Sequence, residues 1–454
     1  MNIHRFTQNG LNIVLDVNSG AVHVLDQPAY DVLGIFTGDN DQEVLAVLAD
    51  VYSEPVVTEI LAELRLLMAE GALFAPPIDT PPVFDEKPHV KSLCLHVAHD
   101  CNLRCGYCFA GTGDFGHSRG LMPVEVAERA VDFVIANSGA RRHCEIDFFG
   151  GEPLLNMDTV RHTVAYIRRR EAETGKIFKL TLTTNAVLLD EDVVAYLNAE
   201  NISMVLSLDG RREVHDRIRP GADGSGSYDE AYAGIKRLVD SRGGKNYYLR
   251  GTFTALNLDF AADVAAMADL GFDQLSVEPV VTKDADYALK EEHLPLLFAQ
   301  YDELARHYLA RRQAGRPYEF FHFNLDLAKG PCVAKRLSGC GAGHEYFAVT
   351  PEGDLYPCHQ FVGREDYRLG DVFSGVKRPD VSSHFRQTHV LAKEACHDCW
   401  ARFFCSGGCH ANAELFHATI EKPYSLGCEL QKKRLECALM IQAQLALGVR
   451  DDLA

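Results

Sequence analysis

Between residues 90 and 320, short apolar runs alternate with longer stretches whose apolar residues recur every three or four positions. The runs fall at 91–97, 144–149, 178–183, 202–207, 247–254 and 274–277, and helical spacing fills 123–137, 159–173, 191–198, 228–240 and 260–268. Compact apolar runs suit buried strands, and strands separated by helices must pair in parallel through crossovers. The pattern predicts an α/β fold built as a partial (β/α)6 barrel. In such folds functional residues gather at the C-terminal ends of the strands.

Ahead of this region the pattern differs. Residues 11–15 and 21–25 read as two strands flanking Asp16-Val17-Asn18-Ser19-Gly20, a hairpin signal. Helical spacing follows at 29–36, 42–52 and 55–70, with Leu61, Leu64, Leu66, Leu67 and Met68 as a broad apolar stripe and Gly71 at the C-cap position. The proline-rich stretch 76–82 reads as a stiff linker. Three domains are expected: 1–80, 88–320 and a cysteine-rich 330–445.

Composition narrows the function. The net charge of −19 argues against a nucleic-acid partner, for which a basic footprint is expected. No apolar run approaches the roughly 20 residues that span a bilayer, and no basic stretch followed by an apolar one opens the chain, so neither membrane nor secretion is expected. The 14 cysteines then read as metal ligands in a reducing cytoplasm rather than as disulfides.

The densest chemistry is Cys101-Asn102-Leu103-Arg104-Cys105-Gly106-Tyr107-Cys108. Its three thiols can take three corners of an iron–sulfur cluster, leaving one iron for a ligand that is not protein. A three-cysteine zinc site or packed core thiols is the plainer reading of the same residues. The spacing, with aromatic Tyr107 before the last cysteine, resembles the hallmark of the radical S-adenosylmethionine (radical SAM) superfamily. That resemblance implies a [4Fe–4S] cluster on Cys101, Cys105 and Cys108, the catalytic core, with S-adenosylmethionine on the open iron and cleaved to a 5′-deoxyadenosyl radical. Gly150-Gly151-Glu152-Pro153, one strand later, resembles the family motif that holds the methionine amino group; read alone it is a turn. At later strand ends, Thr183, Thr184 and Asn185, then Ser207 and Asp209, stand where the family contacts ribose and methionine. Arg219 resembles a position that meets the cofactor carboxylate, with Arg250 competing for the role. Glu278 offers an inward carboxylate for cofactor or substrate. Cys94 and Cys144 lie inside strands and read as packed thiols.

A second cysteine field begins with Cys340 and continues through Gly353, Cys358, Cys396-x2-Cys399-x5-Cys405-x3-Cys409 and Cys428. CxxC pairs commonly bind zinc. The whole series resembles the SPASM domain, an extension of radical SAM peptide-modifying enzymes that holds two auxiliary [4Fe–4S] clusters. By that resemblance Cys340, Cys358 and Cys409 hold the first, and Cys396, Cys399, Cys405 and Cys428 the second, making three clusters in all. The family's usual fourth ligand of the first falls on Tyr346. Either Cys332 replaces it or an iron stays open to a substrate thiolate, the reading preferred here. Cys437 reads as a packed thiol.

Residues 1–80 resemble the winged-helix RiPP recognition element, which pairs a leader peptide with an exposed strand edge; a structural cap on the barrel is the plainer reading. In combination, and through residues 11–25, 98–110 and 356–363, the chain is most similar to the SCIFF (six cysteines in forty-five) peptide maturases. That similarity implies a ribosomally made cysteine-rich precursor peptide as partner, a flavodoxin- or ferredoxin-type electron donor, and thioether cross-links from cysteine sulfur to carbon. Alternatives are sulfatase-type side-chain oxidation, carbon–carbon cross-linking, or a non-enzymatic peptide scaffold. The scaffold leaves three ligand sets without a use.

Overall fold

The computed structural model describes residues 2–77, 89–116, 119–325, 327 and 337–451, the side chains of 449–451 excepted. The first elements are β1 (Ile3–Gln8), β2 (Leu11–Asp16) and β3 (Val22–Leu25), an antiparallel sheet in the order β1-β2-β3. Residues 11–25 form the expected hairpin, and a further strand, β1, precedes it. Asn9 and Gly10, at φ +51° and +77°, make the tight turn between β1 and β2 that Asn-Gly favours. Helices Gln27–Ile35, Asp41–Leu48 and Glu54–Ala69 cover this sheet through Val14, Val32, Val44, Val57 and Leu61. Asp26 caps the first, its carboxylate accepting from the Ala29 N–H at 2.9 Å.

The main sheet opens with β4 (Ser92–His99), against which the two-residue β5 (Gly120–Leu121) pairs. It continues through β6 (His143–Gly150), β7 (Ile177–Thr184), β8 (Ser203–Ser207), β9 (Tyr247–Phe253) and β10 (Gln274–Pro279). These six pair in parallel in the order β4-β6-β7-β8-β9-β10, with a helical crossover between neighbours. The six predicted strands are therefore all present. The sheet stays open: β11 (Glu319–Phe320) adds to β10, while β12 (Tyr346–Val349) pairs in parallel with β4. Beyond β12 the antiparallel β13 (Asp354–Tyr356), β14 (Gly370–Asp371) and β15 (Gly375–Val376) extend that edge. The strands after residue 320 are not among those expected from the sequence, and they are two to four residues long.

Leu95, Ile146, Phe148, Leu182, Leu206 and Leu249 turn to the helices and are fully buried. Asp147, Phe149, Thr181, Thr183, Val205 and Ser207 alternate with them on the other face and are half-buried. That second face is polar enough to receive ligands, which separates this sheet from one packed on both sides.

The cysteine-rich region joins the barrel rather than standing apart. Its β12 completes the β4 edge, and helix Ser425–Asp451 packs along helix Leu294–Gln313 and against β1, β2 and β3. Nor do the first 77 residues stand alone. Both faces of β2 are buried: Val14 enters the core of the N-terminal helices, and Leu15 enters another with Val390, Trp400, Phe403, Leu435 and Leu439. The His4 ring stacks on Trp400 at 3.7 Å, and Arg402 donates to the Asn18 side-chain oxygen at 2.7 Å. The expected linker at 76–82 lies mostly outside the described residues. Among the described residues, no helix is long and apolar enough to cross a membrane.

Because Leu15 belongs to a core shared between distant segments, Leu15→Ala should destabilise the chain by about 2–5 kcal/mol. Hydrogen exchange should then accelerate both in 2–25 and in 390–440. Loss of protection confined to the N-terminal segment would mean the two regions are energetically separate.

Candidate active site

The loop after β4 carries Cys101, Cys105 and Cys108. It is held from beyond β8, where Pro220 accepts from the Arg104 N–H at 2.8 Å and Ile218 from the Gly106 N–H at 3.0 Å. Gly150 and Gly151 bring the end of β6 against this loop. A Cβ on Gly150 would stand 2.2 Å from the Ala98 carbonyl oxygen, and one on Gly151 2.2 Å from that of Asp100. The glycines are thus required by backbone contact.

The three thiols face one another. Burial, Glu152 and Cys105 push Cys101 up to about 12, and burial and Cys108 push Cys105 up to about 11 against the lowering effect of Arg219. Burial, with the charge of Cys101, also raises Cys108. Such thiols are protonated at neutral pH unless a metal ion displaces the proton. A convergent set of three in a glycine-lined loop fits a cluster with one open iron.

Asp209 forms the hub beside this loop. Its fully buried carboxylate accepts from Arg219 Nε at 2.8 Å and Nη2 at 3.2 Å, from the Tyr107 hydroxyl at 3.0 Å and from the Thr252 N–H at 2.9 Å. Arg219 in turn lies over the Tyr107 ring at 5.3 Å and brings Nη1 to 4.0 Å from Cys105 Sγ. Burial works against its charge, and the Asp209 carboxylate prevails and holds it protonated. Arg219 is therefore committed to Asp209 and to the thiol edge. Arg250, the competing candidate, is exposed on β9.

Glu152 is fully buried, and its oxygens accept from the Leu154 N–H at 3.0 Å, the Thr184 hydroxyl at 2.7 Å and the Asn185 N–H at 2.8 Å. The carboxylate ties the ends of β6 and β7 together. Asn185 places its amide nitrogen 2.8 Å from the Asn102 side-chain oxygen and 3.8 Å from Cys101 Sγ. Thr183 and Ser207 are half-buried on the polar face of the sheet, and Ser207 is in register with Arg250. Glu278 pairs with His322 at 2.8 Å and with Arg434 of the last helix at 3.4 Å. Burial raises its pKa, but His322, then Arg434 and Arg250, prevail and hold it well below the usual carboxylate range.

The second cysteine field resolves into two sets. Cys358 is buried, and its thiol is raised by burial and then by Cys409 and Cys340. Tyr346, where the first set's fourth ligand was sought, places its hydroxyl 3.3 Å from His359 Nδ1 and hydrogen-bonds Cys94. Cys332 lies outside the described residues. The other set surrounds a cavity of about 630 Å³ lined by Cys396, Cys399, Cys405 and Cys428. Burial, then neighbouring thiols of the set, push Cys428 up to about 12; Cys396 is raised to about 11, with Lys393 opposing. Four thiols around a cavity fit an iron–sulfur cluster. Among the described residues, no group of three or more His, Cys, Asp or Glu is arranged to hold a single metal ion. Cys94, Cys144 and Cys437 are buried in the packing, as expected. Sequence reasoning missed the Asn102–Asn185 contact, Arg434 with His322, and Lys393, because none has a motif of its own.

Residues 95–254 match the family model of the radical SAM superfamily. The cysteine-type anaerobic sulfatase-maturating enzyme of Clostridium novyi is 25% identical over 346 residues, 72% of this chain and 90% of that protein. The solved structure of native anSMEcpe with bound AdoMet covers 79% of this chain and 99% of its own at TM-score 0.66 and 21% identity. Streptococcus suis SuiB bound to precursor peptide SuiA covers 93% of this chain and 97% of its own at TM-score 0.51 and 17% identity. The radical SAM match thus spans 95–254, which run from β4 to β9 and carry the loop of Cys101, Cys105 and Cys108, and the solved structures share the chain's fold.

Burial raises the Glu152 carboxyl from 4.5 to about 7, so the folded chain binds this proton more tightly than the unfolded one. Its contribution to stability is full at low pH and declines as pH rises between those values, at up to about 1.4 kcal/mol per unit. Glu152→Gln should flatten that decline and cost about 1–3 kcal/mol, since an amide NH2 then faces a backbone N–H or the Thr184 hydroxyl. Unfolding midpoints from pH 4 to 8 measure both effects, and an unchanged slope would assign it to another group.

Proposed function

We propose that this radical SAM enzyme installs thioether cross-links, cysteine sulfur to carbon, in a ribosomally synthesised cysteine-rich precursor peptide. The observation that carries the reading is the sorting of the cysteines into sets of three, three and four: Cys101, Cys105 and Cys108; Cys340, Cys358 and Cys409; and Cys396, Cys399, Cys405 and Cys428. A set of three leaves one iron of a cubane without a protein ligand. Beside the strand ends that opening suits S-adenosylmethionine, and in the second field it suits a peptide thiolate. The third, closed set suits a cluster that only moves electrons or holds the domain together. When bound, the first cluster and S-adenosylmethionine supply the radical that takes a hydrogen atom from the acceptor residue.

The chain's own residues position the reactants. Arg219 and Asp209 fix Tyr107 and the Cys105 edge, Asn185 bridges to Asn102, and the Glu152 staple keeps β6 and β7 in register. The half-buried Thr183, Val205 and Ser207 then line the face along which cofactor and peptide lie. The edge strand β3, whose Val24 is 37% exposed, supplies an unpaired backbone for a leader peptide in the manner of a RiPP recognition element. Residues 330–445 would act as the SPASM domain, and a flavodoxin- or ferredoxin-type protein of the cytoplasm would supply electrons.

A second reading, oxidation of a single side chain as in anaerobic sulfatase maturation, draws on the name of the Clostridium novyi relative. The test is anaerobic reconstitution with a cysteine-rich peptide encoded nearby. Thioether formation predicts about twelve irons per chain and a peptide that loses two hydrogens per link while its cysteine resists alkylation. A cysteine that loses sulfur and becomes an aldehyde would support the second reading instead. Cys108→Ala should abolish cleavage of S-adenosylmethionine and remove about four irons. Cys428→Ala should remove a similar amount of iron, retain the cleavage and stop cross-linking; an unaffected product would reduce the third set to a structural staple.

A further inference from the structure

Lys393 lies three positions before Cys396, and nothing around it in the sequence marks it as an interior residue. Its side chain is nonetheless among the largest that are fully buried, and its ammonium donates to the Gly407 carbonyl at 2.9 Å. Gly407 is the midpoint of Cys405-Ser406-Gly407-Gly408-Cys409. The first cysteine of this loop belongs to the set of four and the last to the set of three. The lysine is therefore anchored under the shortest stretch of chain that links the two sets.

A buried ammonium without a counter-charge costs several kcal/mol. Among the described residues Lys393 forms no ion pair with a carboxylate. Burial opposes its charge, and the groups that favour it are the thiols of Cys396, Cys405, Cys409 and Cys428, drawn from both sets. Other cations face the set of four alone: Lys432 faces Cys428, Arg434 faces Cys405 and Arg402 faces Cys399.

We propose that Lys393 is the shared counter-charge of the two auxiliary iron–sulfur clusters, a positioning residue that raises the reduction potential of both and keeps them matched for electron exchange. This rests on the reading that the two cysteine sets bind clusters. A fixed positive charge favours the reduced, more negative cluster, and net charge is one of the protein's levers on such potentials. Because the ammonium is held between the sets and away from water, the charge is little screened.

The test is a potentiometric titration of the reconstituted full chain followed by electron paramagnetic resonance, with Lys393→Met and Lys393→Arg beside the unaltered protein. The first cluster, identified by the response of its signal to S-adenosylmethionine, is the internal reference. Lys393→Met should lower the one-electron reduction constant of both auxiliary clusters at least tenfold, 59 mV, and leave the reference unchanged, while Lys393→Arg should restore both. Potentials unchanged in Lys393→Met, or a shift in one auxiliary cluster alone, would overturn the proposal. Should Lys393→Met fail to load auxiliary iron, full loading of Lys393→Arg would support the counter-charge role and failure of both would overturn it in favour of packing. An unaltered protein with only the first cluster's iron would refute the reading of the cysteine sets themselves, an outcome distinct from all of these.

Discussion

Burial keeps the grouped thiols protonated unless iron takes the place of the proton, and the interior charges are arranged around that constraint. Cys101 and Cys428 are pushed up to about 12, and Cys105 and Cys396 to about 11. Each set has a cation against it: Arg219 beside Cys105, Lys393 beside Cys396 and Cys409, Arg434 beside Cys405. Arg219 and Arg434 also have the Asp209 and Glu278 carboxylates, whereas Lys393 is buried with no carboxylate partner among the described residues. Iron bound at these thiols would displace their protons and set negative charge beside Lys393, which would link folding, metal content and pH in one equilibrium.

The parallel sheet was legible because its signal is periodic: apolar runs separated by helical spacing leave few alternatives, and all six strands stand within two residues of the predicted bounds. The grouping of the cysteines into sets rests on spacing and family resemblance together. What stayed hidden was non-local. No pattern in Tyr346–Val349 announces a strand that pairs with β4, some 250 residues earlier in the chain. Likewise, Leu15 reads as one more apolar position of a hairpin, although most of its core partners lie beyond residue 389.

The polar residues at the strand ends show a second limit. Glu152, Arg219 and Glu278 were each expected to meet cofactor or substrate, and each has its charged group engaged by the chain itself. A motif reports that a charge is required at a position. It does not say whether that charge touches the ligand or holds the frame that does. Here the buried Glu152 and Arg219 and the half-buried Glu278 tie strand ends and helices together through their own partners.

The His4–Trp400 stack and the Asn18–Arg402 hydrogen bond place the N-terminal sheet directly on the loop between Cys396 and Cys405. Trp400 follows Cys399 in sequence, and Arg402 lies between Cys399 and Cys405. The first 77 residues therefore do not form an interchangeable cassette. A chimera that replaced them with an unrelated unit would strip one wall from the shared core and disturb the loop between Cys399 and Cys405. Sequence change in the N-terminal unit is consequently least constrained on the faces turned away from Trp400, and change on the face against it calls for compensating change around Trp400 and Arg402.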